Sequence, residues 1–178
     1  MNKIGVFLSS NSAVSPLYAE AARQLGQWIG RQGKTLVYGG NASGLMEQLA
    51  QAVHHEGGHV VGVLPQAARE GHMQPSEAMN EAICCPHMAA RKQTILEQSD
   101  ILVALPGGIG TLDELFTVVA SATVGEHQKQ VVLYNVDHCW DSLLQMLDDL
   151  RRQQLIYRPT EPFLKVAHTF KELTQFLR

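Results

Sequence analysis

The run Leu105-Pro-Gly-Gly-Ile-Gly-Thr-Leu-Asp-Glu114 holds the residue types most suited to chemistry in this chain. Gly107, Gly108 and Gly110 lack a β-carbon, which permits left-handed backbone conformations and lets a ligand come close. Asp100-Ile-Leu-Val-Ala-Leu105 ahead of them reads as a buried strand, and Leu112, Leu115, Phe116, Val119 and Ala120 follow at helical spacing, so the glycines lie on a strand-to-helix turn. The first N–H groups of such a helix point outward without an intrahelical acceptor, which suits an anion and above all a phosphate. A plainer reading uses the same residues. Thr111-Leu-Asp-Glu114 is a capping box in which Thr111 closes the N3 amide and Glu114 reaches back to the cap, and Pro-Gly-Gly is a common turn.

A second glycine turn, Gly39-Gly40-Asn-Ala-Ser43, also follows an apolar run and precedes a helical pattern. Arg91-Lys92 is a basic pair on a helix, ordinarily a solvated face. Glu81 lies in a long polar stretch, where an acid is more often simply solvated. The histidines His54, His55, His59, His72, His87, His127, His138 and His168 show no ligand spacing, and Met46, Met73, Met79 and Met88 suit core or pocket walls. No metal site is expected. Cys84, Cys85 and Cys139 are odd in number and lack a C-x-x-C pattern, which points to reduced thiols and a cytoplasmic protein.

These residues need a frame. Ile4–Leu8, Thr35–Tyr38, His59–Leu64, Asp100–Leu105 and Gln130–Tyr134 read as strands, ended by glycine or polar clusters. Between them, apolar spacing predicts helices over 16–31, from Leu45 to Val53, over 88–98 and from Leu112 to Val124, with two more over 140–150 and 169–177. The stretch from Pro65 to Pro86 has little periodicity, only 79–85 suggesting a short strand, and so long a connection is usually functional. Alternating strands and helices predict a doubly wound, mainly parallel α/β sheet flanked by helices, Rossmann-like. Ligands of such sheets bind beyond the carboxyl ends of the strands, where both glycine turns must lie. No G-x-G-x-x-G follows the first strand, which argues against NAD or FAD.

With 178 residues, 45% of them hydrophobic, the chain suits one domain over 1–178. A net charge of -3 gives no footprint for nucleic acid or an anionic membrane surface. The N-terminal apolar run is too short for a signal peptide, and no stretch is apolar enough to span a membrane.

Pro106-Gly-Gly-Ile-Gly-Thr-Leu-Asp-Glu114 resembles the P-G-G-x-G-T-x-x-E signature of the LOG ("lonely guy") family, cytokinin riboside 5'-monophosphate phosphoribohydrolases often labelled lysine decarboxylases. Ser9-Ser10, Tyr38-Gly-Gly, Gly44-Leu-Met46, Arg91-Lys92 and Gly125-Glu-His127 agree in order. Asn41, Glu47, Ala89 and Ser121-Ala-Thr123 depart from the family pattern. The resemblance implies hydrolysis of the N-glycosidic bond of a nucleoside monophosphate, adenosine-type with or without an N6 substituent, without a cofactor. It also implies Arg91 and Glu114 as the catalytic pair. Ser9, Gly39, Gly40, Glu81, Lys92, Gly107, Gly108, Gly110 and Thr111 then bind substrate. It further implies at least a homodimer, for which Ile109, Val118, Ala122 and Val124 offer an apolar surface. Cleavage builds positive charge on the ribose, so a carboxylate belongs near the anomeric carbon while the phosphate needs donors. A different class competes: a carrier that only holds a phosphorylated ligand, as molybdenum cofactor carriers of similar appearance do. Lysine decarboxylation is set aside, because it ordinarily needs pyridoxal and no lysine has a recognisable setting for it.

Overall fold

The computed structural model describes residues 1–66 and 73–178. Within the long stretch from Pro65 to Pro86, positions 67–72, His72 included, lie outside the described residues.

Among the described residues, seven parallel strands form one sheet in the order β4-β3-β2-β1-β5-β6-β7. They are β1 (Lys3–Phe7), β2 (Thr35–Tyr38), β3 (His59–Pro65), β4 (Glu81–Cys85), β5 (Ile101–Ala104), β6 (Val131–Tyr134) and β7 (Leu164–Ala167). The helices are α1 (Pro16–Arg31), α2 (Gly44–His55), α3 (Met88–Gln98), α4 (Ile109–Thr123), α5 (Asp141–Arg152) and α6 (Phe170–Phe176). The expected doubly wound α/β architecture is therefore present, with β7 added to the strands read from the sequence.

The inner strands are apolar on both faces because both are covered, as parallel sheets require. Ile4, Leu36 and Val103 turn to one side, where Leu25 and Ile29 of α1, Leu45 and Leu49 of α2 and Leu173 of α6 meet them. Phe7, Val37 and Leu102 turn to the other, against Ile95 of α3, Leu115 and Val118 of α4 and Leu147 of α5. Within these helices Leu17 of α1 is exposed, and in α5 Leu147 alone is fully buried.

The chain winds outward from β1 to β4 and then crosses back to lay β5 beside β1, so the switch point lies between these two strands. Phe7 pairs with Ala104, and the pairing runs on past the strand ends: Leu105 N–H donates to Phe7 O (3.0 Å) and Ser9 N–H to Pro106 O (3.2 Å). The loops that leave β1 and β5 therefore emerge side by side.

Candidate active site

A cleft of about 320 Å³ opens at this switch point, within the range of small-molecule sites. Leu8, Ser9, Ser10 and Asn11 after β1 form one wall, with Gly108, Gly110, Thr111, Asp113 and Glu114 of the β5–α4 segment opposite; Asn41, Met46, Met73, Met88 and Arg91 complete the lining.

The wall after β1 is fixed by its contacts. Ser9 Oγ accepts from Asn11 N–H (3.0 Å), Ser9 O from Leu45 N–H (3.1 Å), and Ser43 Oγ donates to Ser10 O (2.9 Å). Gly44 begins α2 in the left-handed region (φ 57°), and a β-carbon there would overlap the Ser10 and Asn11 backbone. The loop after β2 is tied to residues beyond the undescribed stretch, Ala42 N–H donating to Gln74 O (2.7 Å) and Ser76 N–H to Gly40 O (3.0 Å).

The opposite wall corrects the capping box. Gly108, extended at φ -99° and ψ -150°, is the N-cap and supplies no side chain, and Leu112 N–H donates to Gly108 O (3.0 Å). Helix α4 thus begins at Ile109, and Glu114 falls more than a turn inside it. The glycines also act differently from the expectation. None of Gly107, Gly108 and Gly110 has positive φ; around Gly108 and Gly110 a β-carbon would meet nothing within 4 Å, so these two leave space open. At Gly107 a β-carbon would overlap Thr111.

Glu114 pairs with Arg91 across the cleft floor. Arg91 Nη1 donates to Glu114 Oε1 at 3.1 Å, with side-chain exposures of 5% and 7%, and Arg91 Nε donates to Val63 O at 2.8 Å. Arg91 is presented by α3, which His87 starts by accepting the Ala90 N–H on Nδ1 (3.1 Å). Burial pushes the Glu114 carboxyl up to about 7, against the opposing pull of Arg91. A carboxyl so placed is divided between its two forms near neutral pH, a state common at reacting centres.

The other residues singled out are divided. Ser9, Gly108, Gly110 and Thr111 border the cleft. Lys92 reaches it only through Asp113, its Nζ standing 2.7 Å from Asp113 Oδ1. Gly39, Gly40 and Gly107 are not among the residues that line it. Glu81 is not brought there: it begins β4 at the amino end of the sheet, 3.9 Å from His59, because its register partner is Val61 early in β3. Asn11, Asn41 and Asp113 are cleft residues that the sequence reading did not select. Among the described residues no group of three or more His, Cys, Asp or Glu is arranged to hold a metal, and no helix is long and apolar enough to cross a membrane.

Fold and cleft together define a doubly wound α/β protein with a cleft at its switch point, walled by a helix N-terminus and floored by a buried arginine–glutamate pair. A family profile described as "possible lysine decarboxylase" matches residues 46–177. The chain is 39% identical over 175 residues to the cytokinin riboside 5'-monophosphate phosphoribohydrolase LOG7 of Arabidopsis thaliana, covering 98% of this chain and 80% of that protein. It is 37% identical to the probable phosphoribohydrolase LOGL2 of rice, Oryza sativa subsp. japonica, over 98% of this chain and 71% of that one. The chain belongs to the LOG family. Among solved structures, the molybdenum cofactor binding protein of Rippkaea orientalis superposes with a TM-score of 0.75 at 26% identity, covering 99% of this chain and 94% of that one. The molybdenum cofactor carrier protein of Chlamydomonas reinhardtii shares the fold, with a TM-score of 0.75 at 23% identity over 99% and 95% of the two chains.

Proposed function

We propose that this chain, folded as one domain, hydrolyses the N-glycosidic bond of an adenosine-type nucleoside 5'-monophosphate, with or without an N6 substituent, giving free base and ribose 5-phosphate. The observation that carries this reading is the buried Arg91–Glu114 pair opening on a cleft whose far wall is the uncapped start of α4. The relatives that share the chain's full span bear names of this activity.

In this reading the phosphate meets the N–H groups of Ile109, Gly110 and Thr111 and the Thr111 hydroxyl, with Ser9 on the facing wall. The ribose then lies over Glu114. As the bond from the anomeric carbon to the base nitrogen breaks, its electron pair leaves with the base and positive charge grows on the ribose. Ionised Glu114 stabilises that charge and accepts a hydrogen bond from the water whose oxygen bonds to the anomeric carbon; one water proton passes by way of Glu114 to the departing base, and the other stays on the new hydroxyl of ribose 5-phosphate. Arg91 favours the ionised carboxylate and holds its direction. Lys92 offsets the negative charge of Asp113 beside the phosphate.

The test is a panel of nucleoside 5'-monophosphates and their nucleosides, with released base measured by chromatography. At roughly 1.5–3 kcal/mol for each charge-assisted hydrogen bond, two such bonds favour the monophosphate by about 10²-fold or more in kcat/KM. Equal turnover of nucleoside and monophosphate overturns the assignment. Tight binding of a phosphorylated pterin without base release from any nucleotide hands it to the carrier reading.

The same reading places the protein in the cytoplasm as a homodimer. The surface expected to serve it is redistributed: Val118 and Ala122 are buried in the core, while Val124 joins Phe116, Val119, Leu147, Leu155 and Tyr157 around an apolar groove of about 470 Å³. Val124, Leu155 and Tyr157 are exposed there, a contiguous apolar patch suited to a second copy. Light scattering that finds only monomer at micromolar concentration removes this assembly.

A further inference from the structure

Arg91 is confined on three sides. Val63 O takes its Nε–H, Glu114 Oε1 takes an Nη1–H, and the third side is Gly39. A β-carbon on Gly39 would overlap Arg91 Nη2 and stand 3.2 Å from its Cζ and from Met46 Cε. Neither of the usual reasons for a glycine in a turn applies at this position. Gly39 is not among the residues lining the cleft, so no ligand needs its bareness, and its φ lies outside the left-handed region. The guanidinium, far closer than Met46, is what requires the missing atom.

We propose that Gly39 is a positioning residue: the absence of its side chain forms the socket for the Arg91 guanidinium and thereby fixes where the Glu114 carboxylate stands in the cleft. This rests on the reading of Arg91 and Glu114 as the reacting pair. The groups acting on Glu114 are Arg91 and Lys92 from α3 and Asp113 beside it on α4. Of these only Arg91 is hydrogen-bonded to it. Gly39→Ala forces Nη2 aside, and with 5% side-chain exposure the guanidinium shifts at the expense of its bond to Glu114. What yields is the far end of a flexible side chain, so the fold is kept.

The test is Gly39→Ala in the full chain, alone and combined with Arg91→Lys. The single variant is expected to lose about 10²-fold in kcat, the scale of an ångström of misplacement, with KM within threefold and the acid limb of the pH–rate profile moved upward by about one unit. Lysine has no Nη2, so adding Gly39→Ala to Arg91→Lys is expected to change kcat by less than threefold. A single variant within twofold of the parent in kcat with an unmoved limb overturns the proposal, as does an equal loss in both backgrounds. Should Gly39→Ala unfold the chain, recovery on adding Arg91→Lys supports the socket and failure to recover overturns it. Carbon-13 NMR titration of the Glu114 carboxyl reads the same effect without substrate. If Gly39→Ala leaves that titration unmoved, the socket is wrong; if it moves while the parent releases base from no nucleotide, the functional reading fails and the socket stands.

Discussion

The two glycine turns of this protein look alike in composition and do opposite things. After β5, Gly108 and Gly110 border empty space, and a β-carbon on either would touch nothing within 4 Å. After β2, every glycine is crowded by the protein itself: Gly39 by Arg91, Gly40 by Leu64, Gly44 by the Ser10 and Asn11 backbone. Gly108 and Gly110 leave the cleft open, whereas Gly107, packed on Thr111, and the glycines after β2 give their space to the protein's own atoms. Glycine in a turn is thus not one signal but two, told apart by what fills the volume of the missing side chain.

The largest effect expected from disturbing this division falls on Glu114, which the crowded turn supports from behind through Arg91. Glu114→Gln keeps size and much of the hydrogen bonding but removes the charge, so turnover should fall by about 10² to 10⁴-fold while nucleotide binding, read by calorimetry, survives. In the parent, kcat/KM should rise with pH through a limb near 7 as the carboxyl ionises, and the variant should lose that limb. The stability contribution of this group runs the other way. Its folded value lies above the unfolded one, so the contribution is complete below about 4.5 and disappears as pH rises through about 7. Turnover of the glutamine variant within twofold of the parent would remove Glu114 from the mechanism.

Gly39→Ala, with its intermediate effect, probes the crowded turn. The smallest effect is expected at the open one. Gly110 is helical and unobstructed, so Gly110→Ala should stabilise the fold by roughly 0.5–1 kcal/mol, the intrinsic preference for alanine in a helix. The same methyl enters the ligand's space and should weaken nucleotide 5'-monophosphate binding by about tenfold, or 1.4 kcal/mol. Thermal melts and calorimetry would read the opposed signs; a stabilised variant with unchanged affinity would mean that the open turn does not face the ligand.

Much of this arrangement is legible in the sequence, for identifiable reasons. Ile4–Leu8, Thr35–Tyr38 and Ile101–Ala104 announce themselves because a strand covered on both faces is a continuous apolar run. β7 was missed because Leu164-Lys-Val-Ala167 is short, carries a lysine and closes the edge of the sheet. Glu114 and the glycine turn before it stand in one recognisable signature, and Arg91 in a basic pair that agrees with it in order. Asn11 and Asn41 carry no such local mark and line the cleft because parallel pairing brings their loops together, while Asp113 fills an unspecified position of the signature beside Glu114. Glu81 shows the converse, a residue whose place in the motif order pointed to the site while its register put it at the opposite end of a strand.

The continued pairing of the loops after β1 and β5 also bears on how the protein comes to exist. Ser9 meets Pro106 only after all the chain between them has been made and β5 has docked in the middle of a sheet whose other half is already laid down. Contacts so distant along the chain close late, since the entropy of the intervening loop must be lost first. On the ribosome, the nascent chain can assemble β1 to β4 with their helices well before the cleft has a second wall. A chain that ends before α4 therefore lacks one wall of the cleft, and with it the Glu114 that faces Arg91.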